Sequence, residues 1–476
     1  MAGPRTSPSR PFAADSRLFL LAVSITALLM TACRETPPAP PEPARGLKAA
    51  AEGWNVVLLS VDTLRADRLG AYGYEGRPTS PHLDHLVAGG VRFANAHAPR
   101  ALTWPSMASA LTGLYPSGHG LIENGYSLPD DLATLPLVLE AAGYRTGAFL
   151  SNMCRANHRG WDDFSCSGGQ DGKAVNQALE WLAQPAGEEP FFLWVHLFGP
   201  HSPYYNGGDL AATQLDPGYQ GILGPKKWRL DQVMKQRLAL IPRDLIHLDA
   251  LYDAAVIGTD RFAGRLLDEV KQRPNTLIVF LADHGEELYE HNGYLYHACS
   301  VYQTTLHVPL AFVADGLLPS GASVPQDVEL IDILPTMLDL LGLPAPPDLH
   351  GSSLVPYLQR PGEGGSGKPA YSEYGDTRIH TVVHDGWKLV DNPDNVQPVC
   401  MAGVPLDHYP LEPVELYDLR RDPGETVNVA DQHPARVVAL RELIAHRFAG
   451  LRNRSTPQDI PDDLREELEA LGYLAN

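Results

Sequence analysis

Three apolar runs, each ending in polar residues able to hold a metal or an anion, constrain this chain more than any other feature. Asn55–Val61 (NVVLLSV) leads into Asp62. Phe191–Val195 (FFLWV) leads into His196 and then Pro200-His201-Ser202-Pro203. Thr276–Leu281 (TLIVFL) leads into Ala282-Asp283-His284-Gly285. Unbroken apolar runs of this length are the pattern of strands buried on both faces. Segments of helical character, such as 132–142 and 174–183, separate them. Strands alternating with helices predict an α/β fold built on a mostly parallel sheet. In such sheets ligands bind beyond the carboxyl ends of the strands. Asp62, His201, Asp283 and His284 are therefore expected at one edge.

A fourth segment, Thr103-Trp-Pro-Ser-Met-Ala-Ser-Ala-Leu-Thr-Gly113, reads as a helix with Thr103 at its N-cap, Pro105 in the first turn and Gly113 as the stop. Each residue has an ordinary explanation when taken alone. A threonine caps helices, an aspartate after a strand closes turns, and most single histidines are structural. Together, two carboxylates and an imidazole form a hard-to-borderline ligand set for one divalent cation, Ca, Mg, Mn or Zn. A hydroxyl at a helix N-terminus beside such a cation can ionise and attack phosphorus or sulfur.

The N-terminus has a different character. Arg5, Arg10 and Arg17 precede an apolar run from Leu18 to Met30, which ends in Leu29-Met30-Thr31-Ala32-Cys33. Residues 1–33 resemble a bacterial lipoprotein signal peptide with Cys33 as the lipidated residue, and the run is short for a spanning helix. Residues 34–53, with Pro37, Pro38, Pro40, Pro41 and Pro43, read as a semi-rigid tether. The expectation is an exported protein, lipid-anchored to the cell envelope. Such a location permits disulfides, and Cys154 and Cys166 lie close enough in sequence to pair. The net charge is −20, which argues against nucleic acid as a partner.

Several stretches resemble the sulfatase family of the alkaline phosphatase superfamily. They are Asn55–Tyr74 (NVVLLSVDTLRADRLGAYGY), Thr79–Asp84, Leu111–Pro116, Pro200–Tyr204, Asp283–Glu287 and Glu415–Glu425. The resemblance implies a large mixed sheet sandwiched by helices in a catalytic domain, 54–360. A smaller α+β subdomain, 368–452, would follow a Gly-rich break, with an acidic tail helix at 453–476. It also implies Asp62, Thr103, Asp283 and His284 as metal ligands, Thr103 as the nucleophile, and His201 and His297 as contacts to the substrate. His119 and Arg65 are expected to be structural.

The departures from the family pattern bear on the chemistry. Sulfatases carry Cys or Ser followed by x-Pro-x-Arg, and the Cys or Ser is oxidised to formylglycine. This chain has Thr103-Trp-Pro-Ser-Met107, and Thr63 stands where a second metal-binding aspartate is common. Formylglycine releases sulfate by collapsing to its aldehyde, an exit closed to a threonine ester. Phosphothreonine can instead be attacked by water or an alcohol. The favoured reading is a metal-dependent hydrolase or transferase of phospho- or sulfo-esters, with phosphoesters preferred. A small-molecule, glycan or lipid ester would be its substrate. The alternatives are a sulfatase working without formylglycine and a silent, surface-anchored binding protein.

Overall fold

The structure, a computed structural model, describes residues 46–476 except 153–157, 186, 205–214, 224–229, 231, 234–237, 292, 364, 366, 376, 398, 401–403, 406–410, 452–453, 455–459, 463–464 and 466–476. The signal segment with Cys33, the tail helix and much of 202–242 thus lie outside the described residues.

The apolar runs form the strands they predict. β1 (Asn55–Val61), β2 (Val91–His97), β3 (Arg145–Leu150), β4 (Asp163–Cys166), β5 (Phe191–Leu197) and β6 (Thr276–Ala282) are followed by a small antiparallel pair, β7 (Glu287–Leu288) and β8 (Leu295–Tyr296). β9 (His307–Val313) and β10 (Ala322–Glu329) complete an eight-stranded sheet of order β10-β2-β9-β6-β1-β5-β3-β4. Only β9 runs antiparallel to its neighbours β2 and β6; every other pairing is parallel. β1, β5 and β6 are buried almost throughout, since helices cover both faces of the sheet. The 29-residue helix Pro242–Val270 lies against Pro81–Ala88 and Asp171–Leu182.

The expected tether runs too long at its inner end. Ala49 N–H bonds Asp339 O at 2.8 Å and Ala51 N–H bonds Leu340 O at 2.9 Å. Leu47 and Ala51 are buried in the main core, so residues 47–51 belong to the compact unit that begins at Gly46. Two apolar side chains and backbone groups satisfied by a helix end dock this stretch despite the proline-rich segment that precedes it.

The smaller C-terminal sheet is antiparallel, in the order β11 (Ala370–Glu373), β12 (His380–His384), β13 (Trp387–Asp391), then β16 (Val414–Asp418) after the two-residue strands β14 (Val399–Cys400) and β15 (Val404–Pro405). The helix Pro434–Phe448 packs on β12 and β13 through Val437, Leu440 and Ile444. Tyr115 and Ile331 of the large sheet's side enter the same apolar cluster. Cys166 and Cys299 are each disulfide-bonded; the expected partner of Cys166, Cys154, is outside the described residues.

A buried ionic latch ties the β7–β8 pair to the segment that follows β16. Glu287 accepts hydrogen bonds from Ser300 and Thr304 and faces His291 Nδ1 at 3.0 Å, while His291 Nε2 lies 3.1 Å from Gly424 O. Both imidazole nitrogens meet acceptors, so this geometry needs the protonated ring. Burial opposes that charge, but Glu287 overcomes it and raises the His291 pKa. The latch therefore stabilises fully below the usual imidazole range and is lost as pH rises through the raised folded value. His291→Phe is expected to remove about 1–3 kcal/mol near pH 6 and to flatten the alkaline fall in stability. Chemical unfolding at pH 6 and pH 9 reads both effects.

Candidate metal and ester-hydrolysis site

Adjacent strands supply the centre of the site. β6, β1 and β5 lie side by side and in register, with Val61 opposite Ala282 and Ser60 opposite His196. Asp62 and Asp283 are the next residues along their strands, and His196 lies on the neighbouring strand. These three side chains are fully buried, and their ligand atoms lie within 4.8 Å of one another. Thr63 turns the chain sharply at φ 55°. Its N–H, with that of His284, fixes Asp283 Oδ1 at 3.1 and 2.8 Å.

Three polar atoms converge there without partners: Asp62 Oδ1, Asp283 Oδ2 and His196 Nε2 make no hydrogen bond among the described residues. His284 adds a fourth donor. Its Nδ1 is engaged by Gly285 O at 2.9 Å, so Nε2 presents its lone pair, 3.7 Å from Asp62 Oδ1 and 3.6 Å from Asp283 Oδ2. Unpaired buried carboxylate oxygens are costly, and two so close together cannot both ionise without a cation. Burial and the Asp62 charge push the Asp283 carboxyl up to about 6. Burial also opposes the Asp62 charge, yet His201, His196 and His284 hold its pKa below the ordinary range. Two carboxylates and imidazole nitrogens, orphaned and converging, fit one divalent cation.

Thr103 enters from the far side. It is the first residue of the helix Thr103–Thr112; Leu102, in extended conformation, holds the N-cap position, so the expected capping role is corrected. The Thr103 side chain makes no cap bond. Its Oγ1 lies 3.5 Å from Asp62 Oδ2 and 3.4 Å from His284 Nε2. One turn on, Ser106 Oγ–H bonds Asp283 O at 2.6 Å and anchors the helix to the end of β6. Asn124 accepts the Trp104 N–H at 3.1 Å, tying down the first turn from outside.

His201 and His297 face the same space. His201 stacks on Phe198 at 4.4 Å and meets the His297 ring edge-on at 5.1 Å; the His297 ring lies 4.4 Å from that of His284. Glu286 Oε2 orients His297 through Nδ1 at 2.9 Å, while Tyr204 O–H donates to Glu286 Oε1 at 3.2 Å. His119 and Arg65 have structural surroundings. His119 is bonded to Ser109 Oγ and the Leu121 N–H, and burial pushes its pKa down to about 3. Arg65 Nη1 holds Glu286 O at 3.1 Å.

Residues 54–343 match the family described as Sulfatase, which is more than half of the chain; residues 290–453 match the C-terminal region of N-sulphoglucosamine sulphohydrolase. The chain belongs to the sulfatase family. It is an ester hydrolase of the alkaline phosphatase superfamily. A protein named sulfatase from Formosa agariphila is 27% identical over 458 residues, covering 82% of this chain and 86% of its own. A structure described as in complex with its substrate D-glucosamine-2-N,6-O-disulfate superposes with a TM-score of 0.67 at 20% identity, covering 85% of this chain and all of its own. The phosphonate monoester hydrolase of Agrobacterium radiobacter does so with a TM-score of 0.63 at 22% identity, covering 83% and 95%.

Sulfatases are typically dependent on a divalent metal, and in this family member the side chains of Asp62, Thr103, Asp283 and His284 lie close together. His196 is the residue that the sequence reading passes over. It closes an apolar run, and only its register opposite Ser60 places it beside Asp62. Ser60 Oγ lies 2.8 Å from His196 Nδ1 and fixes the ring. His196→Ala is expected to weaken divalent-metal affinity about 10–100-fold with the fold intact, as read by metal titration calorimetry. Two further buried acids, Asp253 and Asp260 of the Pro242–Val270 helix, are committed elsewhere. Asp253 meets Tyr74 and Arg77, and Asp260 receives the N–H groups of His82 and Leu83 at the start of the Pro81–Ala88 helix.

Proposed function

We propose that this sulfatase-family protein hydrolyses, or transfers, phosphoric monoesters or diesters through Thr103 Oγ1. The observation that carries the reading is the direction of one hydroxyl: Thr103 Oγ1 points at Asp62 Oδ2 and His284 Nε2 rather than capping its own helix. A divalent cation held by Asp62, Asp283 and His284, with His196 beside them, would stabilise the alkoxide and the developing negative charge. Thr103 Oγ1–H loses its proton to a facing acceptor, the Oγ1–P bond forms, and the bond from phosphorus to the leaving oxygen breaks. His297, aimed by Glu286, is placed to protonate that oxygen. His201 flanks the non-bridging oxygens. Water or an alcohol then attacks phosphorus, breaks the Oγ1–P bond and restores the hydroxyl.

A second reading, sulfate-ester hydrolysis without formylglycine, has the support of the relatives named sulfatases and of the neighbour bound to a sulfated glucosamine. The phosphonate monoester hydrolase of similar fold supports the first. Under either reading the substrate would be a small molecule or a glycan ester. The test is a parallel assay of p-nitrophenyl phosphate, its diester and p-nitrophenyl sulfate after metal removal and restoration. Turnover of phospho-substrates, lost in Thr103→Ala, is expected. Robust sulfate hydrolysis with negligible phosphate turnover would overturn the phosphoester reading. We also propose lipid anchoring through Cys33 on the character of residues 1–33. Cys33→Ser should move the protein from the membrane to the soluble fraction; unchanged fractionation would contradict it.

A further inference from the structure

Asp171 is a buried acid, 1% exposed, that the chemistry above leaves unused. It is the first residue of the helix Asp171–Leu182, where Gln170 holds the N-cap position without a side-chain cap bond. An acid there ordinarily serves its own helix, through the dipole or the unbonded N–H groups of the first turn. Here the side chain serves another element. Oδ1 accepts the Phe198 N–H at 2.7 Å, and Oδ2 accepts the Gly199 N–H at 3.2 Å. Thr259 Oγ1, from the Pro242–Val270 helix, approaches Oδ2 at 3.4 Å. One carboxylate thus grips two successive backbone N–H groups just past the end of β5.

Those two residues lead directly to His201. Phe198 stacks its ring on that of His201, and Phe198 O accepts the His201 N–H at 3.3 Å. Ser202 O engages His201 Nδ1 at 2.7 Å. Gly199 has φ 58°, and a Cβ there would come within 2.6 Å of Val61 Cγ1 and 3.3 Å of Asp62 O. The loop therefore packs against the end of β1 while Asp171 holds its N–H groups. Bonds to an ionised acceptor are the strong ones, and losing them would make the buried N–H groups seek other partners. The loop, and His201 with it, would have to shift.

We propose that Asp171 is a positioning residue for substrate binding, holding the Phe198–Gly199 loop so that His201 meets the anionic group of the ester. The proposal rests on the reading of His201 as the contact to that group. It applies to a phosphate and to a sulfate ester alike.

The test is calorimetric titration of the metal-loaded full chain with inorganic phosphate and inorganic sulfate, run as a double-mutant cycle. Asp171→Asn, which keeps the volume and one acceptor oxygen, should weaken anion binding about tenfold, and His201→Ala by a similar factor. The double variant should bind no more weakly than His201→Ala, because nothing is left for Asp171 to position. Divalent-metal affinity in Asp171→Asn should stay within about twofold of wild type, whereas a disturbed ligand set loses about 10–100-fold. Phe198→Leu, which keeps apolar bulk and removes the stacked ring, should behave as Asp171→Asn does. Unchanged anion affinity in either variant, losses that multiply in the double variant, or a parallel fall in metal affinity would overturn the positioning role and leave the His201 contact standing. No loss in His201→Ala, or no anion bound by wild type, would instead sink that contact and this proposal with it.

Discussion

Thr103→Ala is expected to lower turnover of an aryl phosphate by about 10⁴-fold or more, the scale on which removal of a covalent nucleophile is felt. The argument rests on what the side chain does locally. A threonine at a helix start ordinarily hydrogen-bonds its own backbone, and here Leu102 holds that position while the Thr103 hydroxyl is given to Asp62 and His284. Metal binding should largely survive the substitution, because Asp62, Asp283, His284 and His196 remain. Thr103→Ser keeps the oxygen and should retain measurable turnover. Steady-state kinetics on metal-loaded protein separates these cases. Wild-type rates in Thr103→Ala, with metal still bound, would remove threonine from the mechanism.

Stripping the divalent metal is expected to abolish turnover and also to destabilise the fold at neutral pH. Asp62 and Asp283 are fully buried beside one another with an unpartnered oxygen each. A carboxyl raised on folding contributes stability below the ordinary carboxylate range, and that contribution is lost as pH rises through its folded value, about 6 for Asp283. At pH 7 the metal-free native state therefore carries the full cost, on the order of 1–3 kcal/mol. Asp283→Asn should recover that cost in the metal-free protein while losing the stabilisation by added metal and all turnover. Thermal melting with chelator and with Mg, Ca, Mn or Zn measures each part. An Asp283→Asn protein still stabilised by metal as strongly as wild type would place the cation elsewhere.

How much of this was legible in the sequence follows from what each signal encodes. Runs such as Thr276–Leu281 state burial on both faces, and the polar residues just past them fall at the sheet's carboxyl edge whatever the strand order. Asp62 and Asp283 were therefore readable. His196 was not, because its role depends on β5 lying beside β1 in a given register, a long-range fact absent from local pattern. The resemblance to sulfatases named Thr103, but the ordinary preference of threonine for helix caps pointed to the wrong position. In the structure Leu102 is the N-cap, and the helix starts with Thr103 as its first residue. The prolines at positions 37–43 suggest a tether that extends through residues 47–51, although Leu47 and Ala51 dock that stretch in the core.

The site also reconciles an acidic chain with an anionic substrate. A net charge of −20 disfavours polyanions, but charge acts locally. Here two of the acids converge on a site that fits a cation, and His201 and His297 line the same space.

The most direct measurement is mass spectrometry of the Thr103 peptide after rapid acid quench of metal-loaded protein turning over p-nitrophenyl phosphate. The account predicts phosphate on Thr103, absent in Asp62→Asn and in chelated protein. Phosphate turnover with Thr103 unmodified at every quench time, or with the label on another residue, would contradict it.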